Sequence, residues 1–294
     1  MKNIRWMLHG LIAVMLLCRA GAALAEVVAL PVDDSSGLPV NEAYYQDATH
    51  YQDPSIQVSI ETYPWEQTVC YVARITIANP TQLRTASAYG FNRKQVASVQ
   101  DMANRMNAVL AINGDYSYYQ LSTVGCYLLR QGQSYCQRLA PGRDLLVIDE
   151  NGDFTILQSC TEETLAGYSA GAMVNTFNFG PGLVVNGQPL ADNYRAMFNS
   201  SLTRNQRAAI AQVEKGKLEY ICAVCEGDKE SKDGGLTMKE WSDFMMTLGV
   251  ENAYNLDGGG SSALYFNGTV VNNPTTNGRR IQERSASDIV YIGY

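Results

Sequence analysis

The chain has 294 residues, of which 46% are hydrophobic and 17% charged, with 22 basic and 29 acidic residues and a formal net charge of −7. A chain of this length can bury a large core, as one large domain or two small ones. The acidic balance excludes nucleic acid and anionic membrane surfaces as general partners, so any anion-binding site must be local.

The first 25 residues have the features of a secretory signal peptide. Lys2 and Arg5 precede the apolar run Leu11–Leu17, and Ala23-Leu24-Ala25 places small residues at the two positions that a signal peptidase reads. Cleavage is expected before Glu26, which takes the net charge from −7 to −10 because the removed segment carries three basic residues and no acid. No later apolar run approaches the ~20 residues of a membrane span. The sequence therefore predicts a secreted or cell-envelope protein without a membrane span after cleavage.

Residues 26–55 are polar and contain three prolines, which predicts a loosely attached arm ahead of a domain spanning residues 56–294. Short apolar or alternating runs within that domain predict strands. The predicted strands are Ile56–Thr62, Cys70–Ile77, Leu145–Ile148, Asp153–Leu157, Leu183–Val185, Leu218–Cys225, Ala263–Phe266 and Ile289–Ile292.

Three Asn-Gly pairs, at residues 151–152, 186–187 and 267–268, predict hairpin turns. The acidic stretch 149–153 has some character of a calcium loop, but no Glu follows at the required offset, so the hairpin is favoured.

Two segments have the pattern of amphipathic helices. Gln95–Met106 carries apolar residues at helical spacing, and Thr237–Leu248 opens with the capping box Thr237 and Glu240. Hairpins combined with a few helix–strand units predict an α+β fold, a single domain with a mixed, largely antiparallel twisted sheet and a few packed helices.

The two helices lead into similar strand ends. The first is followed by an apolar strand, Ala108–Ile112, and then Asn113-Gly114-Asp115; the second is followed by Ala253-Tyr254 and then Asn255-Leu256-Asp257. In each triplet the Asn and Asp should share one face of the strand. We expect the two strand ends to lie near each other and to line one site.

Asp257 is followed by Gly258, Gly259, Gly260, Ser261 and Ser262. Three consecutive glycines are costly in chain entropy and are used where the backbone approaches a ligand closely or takes a positive φ. Successive amides in such a loop can bind an anion. No Lys follows the glycines, so the segment is not a P-loop.

Cysteine and histidine usage narrows the chemistry. Six cysteines remain after the leader, and Cys126 and Cys136 bracket a short loop that suits a disulfide. Cys222 and Cys225 lie three apart on a predicted strand, so they should point to opposite faces, too far apart for a disulfide. Because His50 is the single histidine beyond the leader, a His-based triad or a multi-histidine metal site is excluded.

The residues resemble the phosphodiester glycosidases, the family of N-acetylglucosamine-1-phosphodiester alpha-N-acetylglucosaminidase. The likeness runs in order across residues 56–294. It is carried by Ala111–Tyr116, Asn205-Gln206-Arg207, Gly235-Leu236-Thr237, Asn255–Ser262 and Glu283–Ile292.

The chain departs from the family pattern at three places. Gln206 and Ala208 stand where the family usually has Pro and Thr, Asp228 stands where it usually has Arg, and Ala263-Leu264 replaces Thr-Met. The loss of the Arg at 228 puts one anion contact in doubt.

The resemblance implies cleavage of the bond between a sugar's anomeric carbon and a phosphodiester, with a substrate similar to a GlcNAc-1-phosphodiester in a cell-envelope or exopolysaccharide setting. The implied catalytic carboxylates are Asp257 first, Asp115 second and Glu283. The implied substrate-binding residues are Asn113, Tyr116, Arg207, Asn255, Gly258, Gly259, Gly260, Ser261, Ser262 and Arg284.

Several alternatives stay open. No cofactor is expected, although Asp115, Asp257 and Glu283 could together hold a divalent cation through oxygen ligands. A non-catalytic polysaccharide-binding module is the alternative function. A phosphodiesterase that cleaves the P–O bond would normally need metals held by His and Asp, which the histidine count disfavours. The sequence does not determine the oligomeric state.

Overall fold

Two large β-sheets pack face to face in the computed structural model, and an α-helix covers the outer face of each. The structure describes residues 36–91, 94–116, 127–189, 202–227, 234–276 and 280–294. In spatial order, the strands of the larger sheet are β1 (His50–Gln52), β2 (Ile56–Trp65), β3 (Thr68–Ile77), β14 (Glu219–Cys225), β13 (Arg207–Gln212), β15 (Asn252–Asn255), β11 (Gly182–Val185) and β12 (Gln188–Pro189). Those of the second are β17 (Thr269–Val270), β16 (Leu264–Phe266), β5 (Leu110–Asn113), β20 (Asp288–Ile292) and β4 (Leu83–Ser87).

Alternation along the central strands builds the layers. On β13, Ala208 and Ile210 face the core between the two sheets, whereas Ala209 and Ala211 face the opposite side. Side chains on a strand alternate with a period of two, so one strand serves two cores. Helix α3 (Met238–Thr247) packs its Trp241, Phe244 and Met245 on the outer face of the eight-stranded sheet.

The second sheet is covered by α1 (Val99–Arg105), which packs against its outer face. The layer order is therefore α3, eight-stranded sheet, five-stranded sheet, α1. Smaller elements attach at one side. They are a three-stranded sheet of β10 (Met173–Phe177), β8 (Leu145–Asp149) and β9 (Phe154–Leu157); the hairpins β6 (Tyr127–Arg130) with β7 (Gln133–Gln137) and β18 (Thr275–Thr276) with β19 (Arg280–Ile281); and α2 (Glu162–Ala166).

Several local predictions are confirmed. The three Asn-Gly pairs are the turns of the hairpins β8–β9, β11–β12 and β16–β17. Thr237 caps α3 and forms the reciprocal capping box with Glu240. Cys222 and Cys225 belong to cores on opposite faces of the larger sheet.

Other predictions need correction. Helix α1 begins at Val99 with Ser98 as its N-cap, not at Gln95, and Val96 is 42% exposed. Helix α2 has no counterpart among the helices predicted from the sequence. In place of one mixed sheet there are separate sheets, and every strand pairing among the described residues is antiparallel.

The segment predicted as a polar arm contributes to the fold in its described part. His50–Gln52 is the edge strand β1, and the hydroxyl of Tyr51 lies 2.8 Å from that of Tyr294 at the other end of the chain. The boundary at residue 56 stays a prediction.

The predicted disulfide involves Cys126, which lies outside the described residues. Cys136 is a free thiol in the structure, as are Cys70, Cys160, Cys222 and Cys225. No helix among the described residues is long and apolar enough to cross a membrane.

Candidate functional site

The ends of β5 and β15 meet, although the two strands belong to different sheets. The Asn113 Nδ2 donates to the carbonyl of Asp257 at 2.7 Å, and the Asp257 backbone N–H donates to the carbonyl of Gly114 at 3.2 Å. The Asn113 Oδ1 also accepts the N–H of Ala263 at 3.2 Å. The expected proximity of the two Asn-x-Asp segments is confirmed. Asn113 is the amide that joins them and is fully buried.

The glycines after Asp257 shape the loop against the neighbouring segment. A Cβ at Gly258 would lie 2.8 Å from the carbonyl oxygen of Gln206, and Gly259 has a φ of +64°. The Gly258 N–H donates to the Asp257 Oδ1 at 2.9 Å, and the Gly259 N–H donates to the Gln206 carbonyl at 3.0 Å. Both amides donate within the protein in this structure, and their predicted part in a phosphate cradle stays a prediction.

Arg284 organises the same loop. Its Nη2 contacts both Asp257 carboxylate oxygens, at 3.2 and 3.0 Å, and the Gly258 carbonyl at 2.8 Å. Its Nε donates to the Ser261 Oγ at 2.9 Å, and its own backbone N–H donates to the Gly260 carbonyl. The Nη1 makes no hydrogen bond with a described residue, and half of the side chain is exposed. Nη1 is therefore the guanidinium donor best placed to meet an anion.

Asp257 is the carboxylate of this pair, and its side chain is only 9% exposed. Burial raises the pKa of Asp257 above its ordinary value, while the Arg284 charge and the hydrogen bonds from Ser261 and Gly258 oppose that rise. Desolvation disfavours the charged form and an adjacent cation favours it. The balance leaves a carboxylate that takes up a proton at a higher pH than an exposed aspartate.

Arg207, at the start of β13, supplies a second cation. Its Nε donates to the Leu236 carbonyl and its Nη2 to the Thr203 carbonyl, both at 2.9 Å. The residue is 4% exposed, and burial lowers the pKa of its guanidinium. The side chain is thus held in place by backbone carbonyls.

These groups surround one small cavity of about 160 Å³. Its volume is below the ~300–1,000 Å³ of clefts that enclose whole drug-sized ligands, so its enclosed part suits a phosphate with part of a ring. Its described lining residues are Phe179, Asn205, Arg207, Met238, Asp257, Gly258, Gly259 and Arg284.

Asp115 is not among these lining residues. It is 1% exposed, and its two carboxylate oxygens accept the backbone N–H groups of Asn178 at 2.7 Å and Phe179 at 3.1 Å. The Arg130 Nη2 lies 3.6 Å from the Asp115 Oδ2. Burial raises the pKa of Asp115, and the charge of Arg130 opposes this shift.

Sequence reasoning missed the charged partners behind Asp115. Arg130 is fully buried and donates to the Asp288 Oδ2 from Nε at 3.2 Å and from Nη2 at 2.8 Å. Burial raises the pKa of Asp288 to about 7, Arg130 opposes that rise, and Asp115 and Asp257 add to it. Asp288 lay inside a family-like segment, but an isolated acid before a strand does not by itself reveal a buried network. Arg130 directly follows the apolar residues Tyr127–Leu129, and a charged residue in an apolar run is the signal that could have indicated a buried ion pair.

Glu283 contacts the start of α1, and its predicted catalytic role stays a prediction. Its Oε1 accepts the backbone N–H of Val99, the first residue of α1. Burial raises the pKa of Glu283, and this hydrogen bond opposes the rise. The cation set Asp115, Asp257 and Glu283 is therefore not assembled; more widely, no group of three or more His, Cys, Asp or Glu among the described residues is arranged to hold a metal.

The remaining predicted residues are Asn255, Tyr116, Ser261 and Ser262. Asn255 donates from Nδ2 to the Gly180 carbonyl at 2.8 Å, and the Arg284 Cζ lies 6.0 Å from the centre of the Tyr116 ring. Ser261 holds Arg284, and Ser262 is fully buried with its Oγ lacking a hydrogen-bond partner in the described structure. None of these four residues is in the described lining of the cavity, but Ser261 and Tyr116 both contact Arg284, which is.

The departures from the family pattern are accommodated locally. The Gln206 N–H donates to the Asn205 Oδ1 at 2.9 Å, a bond that Pro could not make, and its Oε1 accepts from the Thr275 N–H. Ala208 is buried in β13. Asp228 lies outside the described residues.

Comparisons with known proteins identify the family of this chain. The family model for phosphodiester glycosidases matches residues 106–292, well over half of the chain. The chain belongs to the phosphodiester glycosidase family. The human N-acetylglucosamine-1-phosphodiester alpha-N-acetylglucosaminidase is 36% identical over 69 residues, which cover 24% of this chain and 13% of that protein. The SPbeta prophage-derived uncharacterized protein YomE of Bacillus subtilis is 25% identical over 286 residues, covering 92% of this chain and 40% of that protein. The chain thus spans less than half the length of these curated relatives.

Solved structures show the same fold. The catalytic domain of the zebrafish N-acetylglucosamine-1-phosphodiester alpha-N-acetylglucosaminidase superposes with a TM-score of 0.65 at 17% identity, covering 91% of this chain and 98% of that one. A hypothetical protein from Synechocystis gives a TM-score of 0.50 at 15% identity, covering 81% and 62%.

Proposed function

We propose that this protein hydrolyses the bond between the anomeric carbon of a sugar and a phosphodiester oxygen, acting after export on a sugar-1-phosphodiester of the cell envelope or an exopolysaccharide. The observation that carries the proposal is the pairing of Asp257 with Arg284 in the wall of a cavity that Arg207 also lines. A carboxylate paired with one guanidinium, in a cavity that a second guanidinium also lines, suits a substrate with an electrophilic carbon next to an anion. The signal-peptide pattern and the family support the setting and the reaction class.

The residues divide the work between phosphate and sugar. The Arg284 Nη1 and the Arg207 guanidinium hold the phosphate, whose departure with the bonding electron pair is easy because a phosphodiester is weakly basic. A general acid of the kind ordinary glycosidases need is therefore dispensable. Asp257 acts on the anomeric carbon, directly as a nucleophile or by taking a proton from the attacking water. Its ionised form is stabilised by Arg284, which keeps it competent despite burial.

The test is hydrolysis of a GlcNAc-1-phosphodiester by the purified protein in ¹⁸O-labelled water. Attack at the anomeric carbon places the label in the sugar, whereas attack at phosphorus places it in the phosphate and overturns the proposal. Asp257→Asn should abolish turnover while keeping an acceptor for the Gly258 N–H. Asp149→Asn is the matched control, because Asp149 is also buried and accepts two backbone N–H groups, but in the β8–β9 turn.

The alternative, a non-catalytic polysaccharide-binding module, predicts tight sugar binding without turnover on a panel of sugar-1-phosphodiesters.

NMR of the first-formed anomer further separates the two roles of Asp257. Retention indicates a covalent intermediate on Asp257, and inversion indicates activation of water.

A further inference from the structure

The cavity that Arg207, Asp257 and Arg284 line also has an apolar residue, Phe179, in its lining. Of the two apolar side chains in the described lining, Met238 is 1% exposed and is committed to the core under α3, whereas Phe179 is partly exposed. A partly exposed aromatic side chain in the lining of a small cavity offers apolar contact to the C–H face of a ring.

The backbone around Phe179 is held by side chains from separate parts of the chain. Both oxygens of the buried Asp115 accept from the N–H groups of Asn178 and Phe179. The Phe179 carbonyl accepts from the Arg143 Nη1 at 3.3 Å, and the next carbonyl, of Gly180, accepts from the Asn255 Nδ2 at 2.8 Å. Successive backbone groups are thus fixed without a sheet ladder.

A charged network lies behind this anchor. Arg130 stands between Asp115 and Asp288, all three with fully buried side chains, and its Cζ lies 4.2 Å from the centre of the Phe177 ring. Burying two carboxylates and one guanidinium carries a desolvation cost, which only well-placed ion pairs and hydrogen bonds offset. What the network visibly fixes is Asp115, and through it the position of Phe179.

We infer that Phe179 is a specificity-determining residue that packs against the sugar ring of the substrate, and that Asp115 is the positioning residue that fixes Phe179. The inference rests on the proposed function for the identity of the ligand. It changes the role predicted for Asp115, because a carboxylate that accepts two backbone N–H groups behind the wall acts through Phe179 and does not touch the reacting atoms.

Calorimetric binding of two probes to the full protein tests the inference without requiring turnover. Inorganic phosphate reports the arginine side of the cavity, and GlcNAc 1-phosphate reports phosphate and sugar together. Phe179→Ala should weaken GlcNAc 1-phosphate about tenfold, the effect of losing ~50 Å² of apolar contact, and leave phosphate affinity unchanged. Phe179→Tyr should retain wild-type affinity for both probes. If the ratio of GlcNAc 1-phosphate affinity to phosphate affinity is the same in wild type and in Phe179→Ala, the role of Phe179 is overturned.

Asp115→Asn separates positioning from catalysis. Asn offers one acceptor oxygen to two N–H groups, so it should weaken sugar binding as Phe179→Ala does, with phosphate affinity unchanged. In the double variant the two losses should not add, since both act through one wall. Asp149→Asn, with a comparable buried carboxylate in the β8–β9 turn, should leave both affinities at wild type. A fall in kcat with unchanged sugar binding would instead make Asp115 catalytic.

The two proposals fail in different ways. If the wild-type protein hydrolyses the diester and Phe179→Ala binds both probes with wild-type affinity, the role of Phe179 is disproved and the proposed hydrolysis is supported. If the wild-type protein shows no turnover but Phe179→Ala binds GlcNAc 1-phosphate more weakly, the role of Phe179 is supported and the proposed hydrolysis is disproved.

Discussion

The guanidinium of Arg284 contacts both carboxylate oxygens of Asp257, at 3.2 and 3.0 Å, and the two residues line the same cavity. The pair comes from two segments 27 residues apart, the loop after β15 and the approach to β20. Arg284 therefore lines the cavity with its guanidinium donors and also favours the ionised form of Asp257.

Replacing Arg284 should affect both substrate binding and pH dependence. Arg284→Met removes charge-assisted hydrogen bonds worth ~1.5–3 kcal/mol each, so KM for the phosphodiester should rise by at least about tenfold. The lost positive charge also raises the pKa of Asp257 further, which shifts the acidic limb of the kcat/KM profile to higher pH.

Arg284→Lys provides the comparison for that variant. Lys keeps the positive charge, so the acidic limb should move less than in Arg284→Met, although KM should still rise because the Ser261 and Gly258 bonds are lost. Arg74→Lys, at an exposed ion pair with Glu61, is the control. Identical pH profiles for wild type and Arg284→Met would show that Asp257 is not the group that titrates.

Glu283→Ala should lower stability and leave catalysis close to wild type. The Glu283 carboxylate accepts the first N–H of α1, where a negative acceptor stabilises a helix by ~1 kcal/mol. Denaturant unfolding measures that loss, and Glu283→Gln should recover part of it because the acceptor oxygen remains. Loss of kcat with unchanged stability would support the catalytic role predicted from sequence.

Gly258→Ala should disturb the site, whereas Gly268→Ala should only destabilise the fold. A Cβ at 258 would stand 2.8 Å from the Gln206 carbonyl oxygen, which forces the loop and Asp257 to move. At Gly268 there is open space but a φ of +81°, so Ala there costs ~1 kcal/mol of strain. The comparison is made on kcat/KM and on the free energy of unfolding. Equal kcat/KM values in the two variants would argue against a precise loop geometry.

Asp288→Asn should change how stability depends on pH. The pKa of Asp288 is raised to about 7 in the folded protein, so the folded state binds the proton more tightly than the unfolded state. Its contribution is fully present below the unfolded value near pH 4 and is lost as pH rises through about 7, at up to ~1.4 kcal/mol per pH unit. The stability advantage of wild type over Asp288→Asn should therefore shrink between pH 4 and pH 7 in denaturant titrations. A constant difference would mean that Asp288 stays ionised throughout.

Local sequence rules located much of the fold and part of the site. The turns at the three Asn-Gly pairs, the Thr237 capping box and the apolar run Leu218–Cys225 depend on residues close together in the chain, so the sequence predicts them directly. Helix α1 was predicted to start four residues too early and to end one residue too late, because the apolar spacing from Val96 to Met106 extends beyond the Ser98 N-cap and the last helical residue, Arg105. The ordered motifs identified the family and brought Asp257, Arg207 and Arg284 onto the candidate list, and all three line the cavity.

The sequence by itself determined which residue types meet at the strand ends; the tertiary structure decided what each of them does. All three predicted catalytic residues are carboxylic acids, but their contacts differ. Asp115 accepts the N–H groups of Asn178 and Phe179. Asp257 pairs with Arg284, and Glu283 accepts the first N–H of α1. The glycine amides expected to bind phosphate donate to Asp257 and Gln206. A carboxylate's role depends on its burial and on the donors around it, and those donors come from segments distant in the chain.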